Sequence, residues 1–166
     1  MIGIKIKSSK DFMNHFLMTD AFADFLFMEG KVITANTYVL DGHMQKDFFD
    51  PEEWEDKTIC PYEFAKWTDM KQMIFQMIKG KHTPVYMRIT LQQKPELTRQ
   101  YLEGKIGAGD QNLSGGLLCT VKYEKGQVTL TTGVAYNGFL PDKEPEKGWD
   151  QQMLKMLSEK GLDYEV

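Results

Sequence analysis

The chain reads as an α+β protein: an antiparallel or mixed sheet with three to four helices packed mainly on one face. Three observations predict this class. Stretches in which apolar and polar residues alternate recur from one end of the chain to the other. Most of them are joined by short turn-forming links rather than by helical crossovers, which favours antiparallel pairing. Between them stand segments whose apolar residues recur every three or four positions, the spacing of a helix buried along one side.

Each element follows in order. Ile2-Gly3-Ile4-Lys5-Ile6-Lys7 puts three isoleucines on one face of a half-buried strand. Ser8 or Ser9 can cap a helix over 9–19, with Asp11 in its first turn, where the helix dipole favours an anion. Phe12, His15 and Phe16 follow the helical spacing. Phe25-Leu26-Phe27-Met28, Val32-Ile33-Thr34 and Tyr38-Val39-Leu40 predict two or three antiparallel strands. A bulge is expected at Glu29-Gly30-Lys31, a turn at Ala35-Asn36, and a hairpin turn at Asp41-Gly42. Residues 50–56 carry five acids, and Asp50-Pro51 suits the start of a short helical turn. Phe64, Trp67, Met70, Met73, Ile74, Met77 and Ile78 form one apolar stripe, so a long helix is predicted over 61–79, opened by Pro61 and ended by Gly80. Residues 85–91 form another strand and 94–103 a short helix. Residues 104–116 are glycine-rich and read as a flexible connection. Two strands over 117–123 and 127–135 flank the turn Glu124-Lys125-Gly126. A closing helix runs over 148–160, with Gly161 as its cap.

The 166 residues suit one domain, 1–166, large enough to bury a core without metal or disulfide. Hydrophobic residues make up 42% and charged residues 27%, which excludes a wholly disordered chain. The net charge of −4, with Arg88 and Arg99 the only arginines among 20 basic residues, argues against a nucleic-acid partner. A shift of arginine to lysine through base composition is the alternative explanation of that count. No apolar run approaches the length of a membrane span, and the N-terminus lacks a secretory signature. The expected setting is therefore the cytoplasm. Cys60 and Cys119 have no metal-ligand spacing, and two reduced, buried thiols are expected.

Four constellations bear on function. Asp41, His43 and Asp47 would line one rim if residues 41–47 stay extended, since odd positions then share a face. Imidazole with two carboxylates is a metal-binding mix, so these three are the metal candidates and would serve a metal-assisted hydrolase. An exposed polar turn is the plainer reading of the same residues. His15 reads as a hydrogen-bonded structural histidine, and His82 as a complement to a helix C-terminus. Cys60, just before Pro61, would gain reactivity from a helix N-terminus, but the acids upstream oppose it, and a structural thiol is preferred. The glycines at 104, 107 and 109 do not complete a phosphate-binding loop. The 11 methionines and the many aromatics either fill a core or line an apolar pocket. Trp54, Tyr62, Trp67 and Tyr136 are the candidate ligand or partner contacts.

Lys10-Asp11-Phe12-Met13-Asn14, the run 25–49 with its Asp41-Gly42-His43, and Thr131-Thr132-Gly133 through Asp142-Lys143 to Trp149-Asp150 resemble an uncharacterised family of small proteins from clostridia-type gut bacteria. The resemblance covers nearly the whole chain and rests on overall pattern. It implies a single full-length domain in a bacterial cytoplasm and assigns no catalytic residue. The function expected is a noncatalytic binding or interaction domain with an aromatic- and Met-rich surface or pocket, for a protein partner or a small apolar ligand. The alternatives are the metal-assisted hydrolase and a structural protein that self-associates through an edge strand as a homo-oligomer. No cofactor is expected.

Overall fold

The computed structural model describes residues 1–103, 116–135 and 144–166. Among these, the elements in chain order are β1 (Gly3–Ile6), α1 (Ser9–Met18), β2 (Phe25–Ile33), β3 (Thr37–Asp41), a single 3-10 turn (Lys46–Phe48), α2 (Pro51–Glu55), β4 (Ala65–Lys66), α3 (Trp67–Ile78), β5 (Tyr86–Gln93), α4 (Pro95–Glu103), β6 (Leu117–Glu124), β7 (Gln127–Val134), α5 (Glu144–Glu159) and β8 (Tyr164–Glu165). The class is α+β, as the alternating patterns predict. All described strands join one antiparallel sheet in the order β3-β2-β5-β6-β7-β1-β8, with β4 also paired to β2.

One face of the sheet is apolar and carries the helices. Ile4, Ile6, Phe27, Met87, Ile89, Leu91, Cys119, Val121, Val128 and Leu130 alternate inward and are fully buried. Phe12 and Phe16 of α1, Trp67 and Ile74 of α3, and Trp149, Met153 and Leu157 of α5 close over them. The other face is polar. Lys31, Arg88 and Lys122 stand side by side in register on β2, β5 and β6, with Thr129 and Lys5 beyond them. Glu124 pairs with Lys122 at 3.6 Å and offsets part of that charge.

Local chemistry explains the ends of the elements. The Ser8 hydroxyl accepts from the Asp11 amide and caps α1. Lys125 and Gly126 both take positive φ, the geometry a two-residue hairpin turn requires. Gly161, at φ 71°, ends α5. The amides of Gly161 and Leu162 then close on the carbonyls of Ser158 and Leu157, and Leu162 folds back into the core.

The long helix is shorter than its pattern predicts. α3 begins at Trp67, not Pro61. Phe64 bridges His43, and Ala65–Lys66 pairs with Leu26 and Phe27, so the backbone up to Lys66 is committed to the sheet edge. Phe64 still buries its ring, which is why it fits the apolar stripe. The bulge lies at Phe27/Glu29, one step before the predicted place. Residues 25–33 form one continuous strand. Asp41-Gly42 is not a hairpin turn: Gly42 is the point where β3 passes close over β2, and a Cβ there would lie 1.9 Å from the Phe27 carbonyl oxygen. α5 starts at Glu144, earlier than predicted. The connection predicted at 104–115 lies outside the described residues.

Candidate functional site

α1 and the C-terminal half of α3 lie side by side over the sheet and leave an open cleft of about 260 Å³ between them. Met13, Leu17 and Met18 form one wall, Phe75 and Ile78 the other, and Pro84 closes one end. Asn14, Lys79, His82 and Thr83 supply polar groups at its rim. The cleft follows from the helical spacing: Met13 and Leu17, each one position after the core residues Phe12 and Phe16, flank them on α1 and line it, Leu17 itself buried and Met13 packed against the core. Met18 is 57% exposed. A second depression of about 220 Å³ lies where α5 meets β2 and β5, lined by Phe25, Trp149, Met153 and Met156 with a charged rim.

The Asp41/His43 pair lies elsewhere, where β3 leaves the sheet. The His43 Nδ1–H donates to Asp41 Oδ1 at 2.6 Å, and its backbone N–H donates to the same oxygen at 2.9 Å. These two bonds, the backbone one foremost, hold the Asp41 carboxyl below the ordinary value. The imidazole rests on the Phe64 ring, 4.5 Å between centroids, and its Nε2 lies 3.7 Å from Glu63. Asp47 does not join them. The extended run expected over 41–47 is broken by the 3-10 turn at Lys46–Phe48, which carries Asp47. Among the described residues, no three His, Cys, Asp or Glu side chains converge so as to hold a metal ion.

The four candidate contacts have different fates. Trp67 is buried core, not surface. It is 1% exposed, its indole stacks on Phe16 with centroids 4.3 Å apart, and its Nε1–H donates to the Phe16 carbonyl. Tyr62 is half-buried and engaged: its hydroxyl donates to the Glu96 carboxylate, and the Lys94 ammonium lies over its ring. Burial, then that hydrogen bond, pushes the Tyr62 phenol up to about 12. Burial alone would raise the Glu96 carboxyl, but the Tyr62 hydroxyl, its own amide, Lys94 and Arg99 outweigh it and hold the carboxyl low. Trp54 is half-buried against Phe49, 6.0 Å between centroids, and Phe49 meets Phe48 edge to face. Phe48 is 84% exposed, more open than Trp54, Tyr62 or Trp67. Tyr136 lies outside the described residues. Spacing gave no signal for Phe48, because it falls in no periodic segment.

His15, Cys60 and Cys119 are structural. His15 is half-buried, and its Nδ1–H donates to the Asp11 carbonyl. Cys60 and Cys119 are free and buried. Cys60 does not cap a helix, since α3 starts seven positions later. Burial pushes the Cys119 thiol up to about 12, so it is inert.

Among the described residues, no helix is long and apolar enough to cross a membrane. Neither the curated proteins nor the solved structures contain a significant match to the chain. Residues 15–165 match the model of a family of unknown function (DUF5721), and the chain belongs to that family.

Proposed function

We propose that this protein is a noncatalytic binding domain of a bacterial cytoplasm, and that it takes a small, mainly apolar ligand into the cleft between α1 and α3. The observation that carries this reading is the cleft's lining. Met13, Leu17, Met18, Phe75 and Ile78 present adaptable apolar surface, and Asn14, Lys79, His82 and Thr83 add polar groups at the rim. Lys79 at that rim favours a ligand with one anionic end, such as a short-chain carboxylate. The two buried, unpaired thiols support a reducing compartment.

The test is ligand-induced thermal stabilisation. The purified chain is screened against short-chain carboxylates and the matching amides. A carboxylate is expected to raise the melting temperature and its amide to raise it less. Met18→Glu, at an exposed wall position, is expected to leave the unliganded melting temperature near wild type and to abolish the shift. A wild-type chain that no carboxylate stabilises, or a shift that M18E leaves unchanged, overturns the reading.

A further inference from the structure

The two edges of the sheet are built differently. β8 is two residues long, Tyr164–Glu165. β3 is five, Thr37–Asp41, and along it Thr37, Tyr38, Val39 and Asp41 are exposed, Val39 at 78%. Free edges normally carry charged side chains, above all lysine, a proline or a bulge that blocks pairing with another strand. Thr37-Tyr38-Val39-Leu40-Asp41 has no lysine, proline or bulge, its single charge stands at the end of the strand, and its register against β2 runs without a break.

The direction of the unused backbone groups follows from the ladder. The Gly42 amide donates to the Met28 carbonyl. Backbone groups along a strand alternate in direction, so those of Leu40 and Tyr38 also face β2. Those of Thr37, Val39 and Asp41 face outward.

We infer that β3 pairs antiparallel with β3 of a second copy of this chain, about a two-fold axis at Val39. In that register the outward N–H and C=O of Val39 exchange hydrogen bonds with those of the mate's Val39. Thr37 and Asp41 exchange theirs with Asp41 and Thr37 of the mate. Tyr38 lies opposite Leu40 and Val39 opposite Val39, which covers the exposed apolar side chains. The strand's one charged side chain, Asp41, meets a threonine hydroxyl and never another carboxylate. The contact is isologous and closes at two copies. Head-to-tail pairing of β3 with β8 would offer only two residues for five and would leave edges open.

The test is sedimentation equilibrium of the full chain from low micromolar to several hundred micromolar. Wild type is expected to pass from monomer to dimer. Val39→Glu places two carboxylates face to face across the axis, while Lys31 beside it on β2 balances the charge in the monomer. V39E is expected to stay monomeric with unchanged circular dichroism. Thr37→Asp, opposite the mate's Asp41, is expected to weaken association by about tenfold, and Thr37→Lys to strengthen it several-fold. A wild-type chain that stays monomeric throughout overturns the inference. So does a dimer that V39E and T37D leave intact, or one that T37D and T37K shift in the same direction.

Discussion

Two aromatic clusters in this molecule use the same residue types to opposite ends. Under α1 and α3, Phe12, Phe16, Phe22 and Trp67 pack edge to face and stacked, with centroids 4.3 to 5.7 Å apart, and all are buried. In the excursion between β3 and β4, Phe48, Phe49 and Trp54 also touch in series, yet Phe48 is exposed and Trp54 only half-buried. The first cluster has the apolar face of the sheet beneath it. The second is held by local polar contacts: His43 on Asp41, the Asp50 amide on Glu53, and Thr58 on Asp56. Aromatic content alone therefore says nothing about role. What lies under the ring decides it.

The largest expected effect contrasts Trp67 with Trp54. Trp67→Ala removes a fully buried, hydrogen-bonded indole and should cost about 3–5 kcal/mol, with the Phe16 carbonyl left unpaired. Trp54→Ala loses one partly exposed aromatic contact and should cost about 1 kcal/mol or less. Urea unfolding of the two variants measures both values. Equal losses would mean that the excursion is as integral to the fold as the core.

Gly42 is the seam between the two regions, and its substitution comes next in size. A methyl group there meets the Phe27 backbone, not a flexible side-chain end, so β3 and β2 must separate locally. Gly42→Ala should cost about 1–3 kcal/mol. Hydrogen exchange on the variant should quicken at 28–30 and 40–44, while the amides of β6 and β7 keep their protection. Uniform quickening would show that the excursion and the sheet unfold as one unit.

This seam also marks where sequence reading stops. α1, β5, the β6–β7 hairpin and the Gly161 cap were legible because each is set by local chemistry: a serine cap, strict alternation, a turn that needs positive φ. The start of α3 was not. Pro61 and the Phe64 spacing both favour a helix locally, but pairing with His43 and β2 overrides them, and pairing partners are distant in sequence. Trp67 read as a contact residue because burial depends on which helix face meets the sheet. The aspartate and histidine at 41 and 43 were legible as neighbours. The diversion of Asp47 by a 3-10 turn was not, since nothing in Lys46-Asp47-Phe48 announces it.

The smallest expected effect separates the regions by pH. Asp41 is held below its ordinary value by the His43 amide and ring, and Asp56 by the Thr58 hydroxyl and amide. A carboxyl whose folded pKa is depressed contributes stability above its unfolded value of 3.8, and that contribution is lost as pH falls through the lower folded value. The core cluster has no carboxylate among its rings, so acid acts first on the excursion. As the pH drops below 3.8, Trp54 emission should shift to the red and become more open to iodide quenching, while Trp67 emission holds. Variants that keep Trp54 or Trp67 as the sole tryptophan, with Trp149 and the other one replaced by Phe, resolve the signals. His43→Ala should move the Asp41 titration, followed by its side-chain carbonyl resonance, back toward 3.8 and leave that of Asp56 in place. If Asp41 titrates at the same pH with and without the imidazole, the backbone amide alone carries the shift. The excursion would then owe its acid sensitivity to its turns and nothing to the histidine.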